Sequence, residues 1–182
     1  MKKSLLFLPL IAIALTSCDS AKPYDTPYEE FSFYLNWGVQ HDSSYDSKTG
    51  KVVKTNKVRE RKPEEYITTY HLPNLEEVYN KVKKMNPYSY PDDLDPFASK
   101  HHIASNPNMF YKLVVGDKTI EVSEFPIGGS EEELNLSSKG KQFFEVVNLV
   151  IDTLQASEEW KALPDYEFYY NWIVIYEKTV PN

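Results

Sequence analysis

The sequence contains a single cysteine, Cys18, among its 182 residues. An internal disulfide needs two thiols, so the fold must be stable without one. No pair of cysteines and no HExxH pattern offers the spacing of a zinc site. The GxSxG and SxxK motifs of hydrolases and the glycine-rich loops that hold phosphates are missing as well. The motif content therefore predicts no metal, no cofactor and no standard catalytic chemistry.

Basic residues are also scarce relative to acidic ones. The chain has 20 Lys and Arg against 27 Asp and Glu, which gives a formal net charge of -7. Cleavage of an N-terminal leader that contains Lys2 and Lys3 and no acidic residue would leave the rest of the chain with a formal net charge of -9. Nucleic-acid affinity comes largely from cations that neutralise phosphates, so a nucleic-acid partner is not expected. Electrostatic adhesion to anionic lipid is not expected either.

Long apolar runs are confined to the N-terminus, where residues 5–15 form one after Lys2 and Lys3. This run is about half of the roughly 20 residues that a membrane-spanning helix needs. A basic start, a short apolar core and small polar residues just before Cys18 make up the layout of an export signal. We therefore predict that residues 1–17 are a signal peptide.

The four residues Leu15-Thr16-Ser17-Cys18 resemble the bacterial lipobox. The resemblance implies that the Cys18 thiol is alkylated by a diacylglycerol group and that the chain is cut just before it. The protein would then be a lipoprotein held outside the cytoplasm in the cell membrane or the outer membrane, with the lipid bilayer as its partner. Residues 18–29 are polar and contain Pro23 and Pro27, which is typical of a tether. Residues 30–182 are expected to form one globular domain.

The first half of the domain shows strand patterns. Apolar Phe31, Phe33, Leu35 and Trp37 alternate with polar or small residues, which predicts a first strand with one buried face. Turn residues at 46–50 and a short second strand at 51–55 indicate a hairpin. Residues 65–72 are rich in Tyr, Ile and Thr and predict a third strand.

A helix should follow from the N-cap candidate Asn74 to about Met85. One face of this helix is apolar and consists of Leu75, Val78, Tyr79, Val82 and Met85. Residues 86–107 contain four prolines and predict a long loop, which is often functional or mobile.

The segment 108–125 predicts a hairpin that turns at Gly116-Asp117. A type II′ turn there places Leu113 opposite Ile120 and Tyr111 opposite Val122, so that apolar residues share one face. A second helix should begin near Ser138. Its core-facing side chains would be Phe143, Val146, Val147, Val150 and Leu154.

Residues 157–163 suggest a further helical turn, and the aromatic segment 166–177 predicts a last strand. The order βββαββαβ indicates an α+β fold with a mainly antiparallel sheet of about five to six strands and two helices packed on one face. The hairpin sequence SSYDSKTGKVVKT and the helix ending EEWKALP resemble small bacterial lipoproteins with a ββαββα core. That resemblance implies no particular activity.

Two groups of residues could be assembled into catalytic or metal sites. His101-His102 lies in the long loop near Asp92, Asp93 and Asp95, but adjacent side chains on an extended chain point to opposite sides. Solvated loop residues are the simpler interpretation. The segment His41-Asp42-Ser43-Ser44 contains fragments of a hydrolase triad without a hydrolase motif.

Aromatic residues are the remaining signal, since the chain has 14 tyrosines. Tyrosine suits surfaces that must be both apolar and hydrogen-bonding, although aromatic strands are also common in ordinary sheets. We select Tyr88, Tyr90, Tyr170 and Trp172 as candidate binding residues. The leading hypothesis is a non-enzymatic, membrane-anchored module that binds a protein or a glycan. The alternative is a cell-envelope hydrolase that uses His101 or His102 with the loop aspartates.

Overall fold

The computed structural model describes residues 21–39, 41–56, 62–99, 108–127 and 134–165. Several predictions concern residues outside these ranges. They are the signal peptide 1–17, the lipidated Cys18, the loop residues His101-His102, and the last strand 166–177 with Tyr170 and Trp172.

The described chain forms one antiparallel sheet of six strands. In chain order these are β1 (Phe33–Gly38), β2 (Ser43–Asp46), β3 (Lys51–Asn56), β4 (Glu64–Thr69), β5 (Asn108–Val115) and β6 (Lys118–Pro126). Across the sheet the order is β4-β3-β2-β1-β5-β6. The chain therefore starts in the middle of the sheet, builds outward to β4, and returns to the other side of β1 for the last hairpin.

Two long helices, α1 (Leu75–Met85) and α2 (Ser138–Ala156), follow β4 and β6, and a short helix α3 (Glu158–Lys161) succeeds them. One-turn 3-10 helices lie at Tyr28–Glu30 and Pro87–Ser89. Both long helices share one hydrophobic core with a single face of the sheet. The α+β class, the antiparallel sheet and the helix layer on one face are thus confirmed. None of the described helices is long and apolar enough to cross a membrane.

The core lies between this helix layer and the sheet, and strand alternation determines which side chains enter it. Leu35, Leu113 and Ile120 project from three neighbouring strands and are completely or almost completely buried. They share the core with Val78 of α1 and Phe143 of α2. Burial of each such side chain contributes about 2 kcal/mol to folding, so this interface supplies much of the stability.

The hairpin of β5 and β6 has the predicted register. Leu113 pairs with Ile120 and Tyr111 pairs with Val122. Gly116 has φ +60 whereas Asp117 keeps a negative φ, the combination that a type II′ turn requires. Turn chemistry and hydrophobic alternation agree at this point, so the local sequence is sufficient to set the pairing.

The sequence prediction missed one strand before α1. The turn at 46–50 is correctly placed, but its first arm is the separate strand β2 and not the end of β1. β2 has only four residues, SSYD, of which Tyr45 alone is large and apolar. Its strand conformation depends on backbone pairing with β1 and β3 on both sides, which periodicity does not reveal.

The predicted long loop is folded back onto the core over its described part, 86–99. Tyr90, Leu94 and Pro96 are buried there. The Leu94 amide donates to the Glu121 carbonyl at 2.8 Å, and the Ser137 amide donates to the Pro96 carbonyl at 2.8 Å. The segment 86–99 is therefore an integral layer of the domain, because it ties β6 to the start of α2.

The two helix starts differ in how their free amides are satisfied. Ser137 caps α2 as expected for this residue type, because its side chain accepts from the Gly140 amide at 3.0 Å. Asn74 precedes α1 as predicted but makes no capping hydrogen bond with its side chain. Its Nδ2 instead donates to Thr153 Oγ1 of α2 at 3.0 Å. The asparagine thus connects the two helices, so its predicted capping role is wrong.

The described part of the predicted tether touches the domain. Tyr24 is buried in the hydrophobic core, and the Tyr79 hydroxyl of α1 donates to the Thr26 carbonyl at 3.0 Å. The chain is therefore packed against the domain from Tyr24 onward.

Candidate functional site

The two tyrosines of the segment 86–99 have different surroundings. Tyr90 is only 4% exposed, and its hydroxyl lies 3.1 Å from both the Lys139 carbonyl and Gln142 Oε1. Burial, followed by the charge of Glu145, raises the pKa of Tyr90 to about 12. Its ring is not accessible to a partner, so Tyr90 is a core residue and the expectation that it binds a ligand is corrected.

Tyr88 remains partly exposed. Its hydroxyl donates to Asp117 Oδ1 at 3.0 Å, and this hydrogen bond is the main cause that raises the pKa of Tyr88. The Tyr88 ring lies 6.1 Å from the Tyr24 ring, centroid to centroid. Tyr88 thus links the N-terminal segment to the turn between β5 and β6.

The described tyrosines do not line a common pocket. Tyr24, Tyr45 and Tyr111 are buried in the core together with Tyr90, whereas Tyr34 lies on the opposite face of the sheet. The excess of tyrosine therefore serves packing in large part.

The segment His41-Asp42-Ser43 does not assemble a catalytic triad. Ser43 lies on the buried face of the sheet beside Trp37, its partner in β1. The His41 ring lies on the other face, with Nδ1 3.0 Å from Asn36 Oδ1 and its centroid 3.5 Å from that of Phe110. Because the sheet separates the hydroxyl from the imidazole, these two groups cannot act together.

The loop aspartates are engaged in structural contacts. Asp92 forms an ion pair with Lys118, and its carbonyl accepts from the Glu121 amide. Asp95 Oδ1 accepts from the Phe97 amide at 3.1 Å. Within the described ranges no group of three or more His, Cys, Asp or Glu side chains could hold a metal ion.

A buried lysine is a feature that the sequence analysis did not select. Lys54 is 4% exposed, and its Nζ lies 5.3 Å from the centroid of the Trp160 ring. Burial lowers the pKa of Lys54, whereas the charges of Asp165 and then Asp42 raise it. The indole and the carboxylates thus compensate a buried cation at the point where α3 meets the sheet. Alternation in β3 could have revealed Lys54, since it falls on the same face as Val52.

A cleft lies between α1 and α2 on the outer side of the helix layer. Its volume is about 250 Å³, and Met85, Asn80 and Gln142 contribute to its lining. An ion pair of Lys81 and Glu145, with 3.6 Å between Nζ and Oε2, belongs to the same lining. Sites for small molecules usually measure about 300 to 1,000 Å³, so this cleft is small for a dedicated ligand pocket.

The sheet face opposite the helices, hereafter the open face, is not covered by any of the described helices. It carries Tyr34, Val53, Ile67, Lys112, Val114 and Glu121 at neighbouring strand positions. Ile67 is 55% exposed and Tyr34 is 40% exposed.

Apolar and charged residues on the open face are arranged in cross-strand pairs. Val53 pairs with Ile67, and Tyr34 pairs with Val114. Lys112 pairs with Glu121, with 2.7 Å between Nζ and Oε1. Charges that neutralise each other within the face reduce the cost of covering it with a partner. The pair of Lys112 and Glu121 therefore adds no net charge to the open face.

Comparison with protein-family models and with curated proteins found no match to this chain. The functional argument therefore rests on the geometry of the described residues.

The open face replaces the aromatic loop as the candidate site. The sequence analysis predicted that the helices lie on one face of the sheet, but it did not select the opposite face as a candidate site. From the sequence, Ile67 is one more apolar residue in a predicted strand, so no local signal showed that its side of the strand is exposed.

Proposed function

We propose that the protein is a non-enzymatic binding module that presents the open face of its sheet to a protein partner outside the cytoplasm. It is anchored in the cell membrane or the outer membrane through acylated Cys18. The anchor part of this proposal is supported by the lipobox-like sequence and by the position of the lone cysteine behind a short apolar run. The binding part is supported by the open face.

The size of the open face fits a contact between proteins. Five inter-strand spacings give a width of roughly 24 Å, and a six-residue strand gives a length of roughly 20 Å. The plane is therefore on the order of 500 Å², compared with about 800 Å² per partner in a standard interface. We expect a small and transient interface.

The chemistry of the open face favours a protein over a glycan. Ile67, Val53 and Val114 offer aliphatic surface, which packs against apolar side chains but cannot form hydrogen bonds with sugar hydroxyls. Tyr34 adds an aromatic ring of the kind that is enriched in protein interfaces.

The proposal is tested by site-specific crosslinking in intact cells. A photo-reactive amino acid replaces Ile67 in one variant and Ile127 in a matched control, because Ile127 is 49% exposed but lies beyond the end of the sheet. We expect a discrete, protease-sensitive adduct from position 67 and none from position 127. Adding Tyr34→Lys should abolish the adduct at position 67, since it places a charge in the centre of the contact.

Equal adducts from both positions would show that no specific contact involves the open face. An adduct that resists protease but is removed by glycosidases would identify a glycan and contradict a protein partner. An adduct that is insensitive to Tyr34→Lys would show that the contact at position 67 does not extend to Tyr34 and would contradict a contact across the open face.

A further inference from the structure

The two edges of the sheet differ in how the described residues cover them. On the outer edge of β6, the Glu121 amide donates to the Asp92 carbonyl at 2.7 Å, and the Leu94 amide donates to the Glu121 carbonyl at 2.8 Å. The segment 86–99 therefore occupies part of this edge. At the other end of the sheet, no described strand pairs with the outer edge of β4.

The direction of each amide in β4 follows from one hydrogen bond. The Tyr70 amide donates to the Gly50 carbonyl of the neighbouring turn at 2.8 Å. Because backbone groups alternate in direction along a strand, those of residues 64, 66 and 68 also point towards β3. The amides and carbonyls of Glu65, Ile67 and Thr69 therefore point outward. The register of β4 with β3 is continuous over six pairs, so no bulge interrupts the edge.

The side chains of β4 are accessible as well as its backbone. Every residue of this strand is exposed or half-buried. Ile67, in the middle of the outward-pointing residues, is 55% exposed, more than any other large apolar side chain in the described ranges. A regular edge with an apolar centre is a template for pairing with another chain.

The β4 sequence is complementary to itself when two copies run antiparallel. It begins with Glu64 and Glu65 and ends with two threonines. A two-fold axis at Ile67 places Ile67 opposite its own copy and Glu65 opposite Thr69 of the second copy. These are the residues with outward backbone groups, so each pair can exchange both of its backbone hydrogen bonds. The glutamates of the two copies are then about 13 Å apart along the strands, which keeps like charges separate.

The same register supplies a cation for each Glu65. Within its own chain Glu65 pairs with Thr55, which is uncharged, whereas Thr69 pairs with Lys51 of β3. Across the axis, Lys51, Thr69 and the Glu65 of the second copy form one row on the open face. Lys51 and that Glu65 are two strand spacings apart, or roughly 10 Å between Cα atoms, with only the short threonine between them. Their long side chains can therefore meet above it, once on each side of the axis.

We propose that two copies of the chain pair through β4 in this register, about a two-fold axis at Ile67. The two sheets then become one continuous antiparallel sheet, and the exposed Ile67 side chains cover each other. This inference goes beyond the proposed function, because it concerns the edge of the sheet and a second copy of the same chain. It also places two open faces side by side, which raises the contact plane from about 500 to about 1,000 Å².

Disulfide trapping of the purified full chain under mild oxidation tests the pairing. Opposite residues with outward backbone groups have Cα atoms about 5.5 Å apart, within the range of a disulfide. Ile67→Cys should therefore form a linked dimer at the axis. Ile127→Cys is the matched control, because it replaces an isoleucine that is 49% exposed beyond the end of β6. We expect at least about tenfold more linked dimer from position 67 than from position 127. Cys18 is present in both variants, so it does not affect this comparison.

The register is tested by mixing two further variants. Glu65→Cys alone and Thr69→Cys alone should give no more linked dimer than the Ile127→Cys control, since each thiol is about 13 Å from its copy. An equal mixture of the two should give a linked dimer, because the thiols are then opposite each other. These positions are exposed, so the substitutions leave the core of the domain unchanged.

Charge exchange tests the contact of Lys51 with Glu65. In the Ile67→Cys chain, adding Glu65→Lys places like charges together on both sides of the axis and should lower the rate of linking at least about fivefold. Adding Lys51→Glu as well restores opposite charges and should restore the rate. Because only the intended contact predicts this rescue, a general loss of folding would not imitate it.

Equal linking at positions 67 and 127 would overturn the proposal. Linking by Glu65→Cys alone, or none in the mixture, would overturn the register. A rate that the exchanged charges do not restore would contradict the contact between Lys51 and Glu65. The purified chain contains no other protein, so failure here leaves the partner of the open face to be decided by crosslinking in cells. A second copy linked there is recognised by an adduct of twice the mass of the chain.

Discussion

Single residues in this protein show how the same side-chain type takes different roles on the two sides of one sheet. Tyr45 and Tyr111 project into the core, whereas Tyr34 projects from the open face. The sequence shows which residues alternate, but burial depends on which side the helices cover. Tyr90 was the clearest misassignment, because a tyrosine between prolines resembles a recognition loop until the segment is seen to fold back.

The buried tyrosines predict a loss of stability at alkaline pH. Burial raises the pKa of Tyr111 to about 12, and burial together with Glu145 raises that of Tyr90 to about 12. Both folded-state values lie above the ordinary value of 10.0, so the neutral phenols stabilise the folded state fully below about pH 10. This contribution is lost as the pH rises from about 10 towards 12. At pH 11 the ionisation of each tyrosine should have lowered the free energy of unfolding by about 1 kcal/mol.

Urea unfolding of the double variant Tyr90→Phe, Tyr111→Phe at neutral pH and at pH 11 checks this expectation. The decline in the free energy of unfolding between the two pH values should be about 2 kcal/mol smaller in the variant than in the natural chain. The variant will be less stable at neutral pH because Tyr90 loses its hydrogen bonds, so the comparison concerns the decline alone. An equal decline would show that these phenols ionise as readily in the folded state as in the unfolded one.

Whole elements were predicted well where one periodicity dominates. α1 spans Leu75–Met85 as expected, and the register of β5 with β6 was obtained from turn chemistry and alternation alone. β2 was missed because four residues with one apolar side chain carry too little pattern. Its strand conformation depends on pairing with the two neighbouring strands, for example of Ser43 with Trp37 in β1 and with Lys54 in β3, which the pattern within β2 does not show.

The contact between the segment 86–99 and the start of α2 predicts an unusual response at Gly140. Replacing glycine by alanine inside a helix normally stabilises it by up to about 1 kcal/mol. Here a Cβ on Gly140 would lie 2.1 Å from the Pro96 carbonyl oxygen, which is backbone held by the Ser137 amide. We expect Gly140→Ala to destabilise the protein by roughly 2 kcal/mol or more, because the segment must move away from the helix.

Thermal and urea unfolding measure this effect, with Ser138→Ala as the control. Ser138 lies in the same helical turn but is exposed, so its replacement should change the free energy of unfolding by less than about 0.5 kcal/mol. A stabilising Gly140→Ala would mean that the segment 86–99 does not rest on α2 as described.

For the whole molecule, the proposed anchor predicts where the protein is found. An acidic chain with a net charge of -7 has little attraction to anionic lipid, so acyl chains on Cys18 must provide the membrane affinity. Each buried methylene contributes about 0.8 kcal/mol, and two or more chains give stable anchoring. Cys18→Ala should therefore abolish acylation and transfer the protein from the membrane fraction to the soluble one.

Metabolic lipid labelling and mass spectrometry of the mature chain check this prediction. Lys22→Ala serves as the control, because it changes an exposed residue just beyond the cysteine and should retain the label. Lipid label that persists in Cys18→Ala would refute the anchor. It would leave the proposal on the open face untouched, since that proposal rests on the globular domain.

By itself, the sequence determined the properties that depend on neighbouring residues. Alternation and helical spacing defined the strand β1, the two long helices and the hairpin at Gly116, because backbone geometry gives each element a fixed period. The tertiary structure decided which faces are covered. Packing of both helices on one side made Tyr90 and Lys54 interior residues and left Tyr34 and Ile67 outside. Such choices arise from contacts between segments far apart in the chain, whereas alternation shows only which residues of a strand share a side.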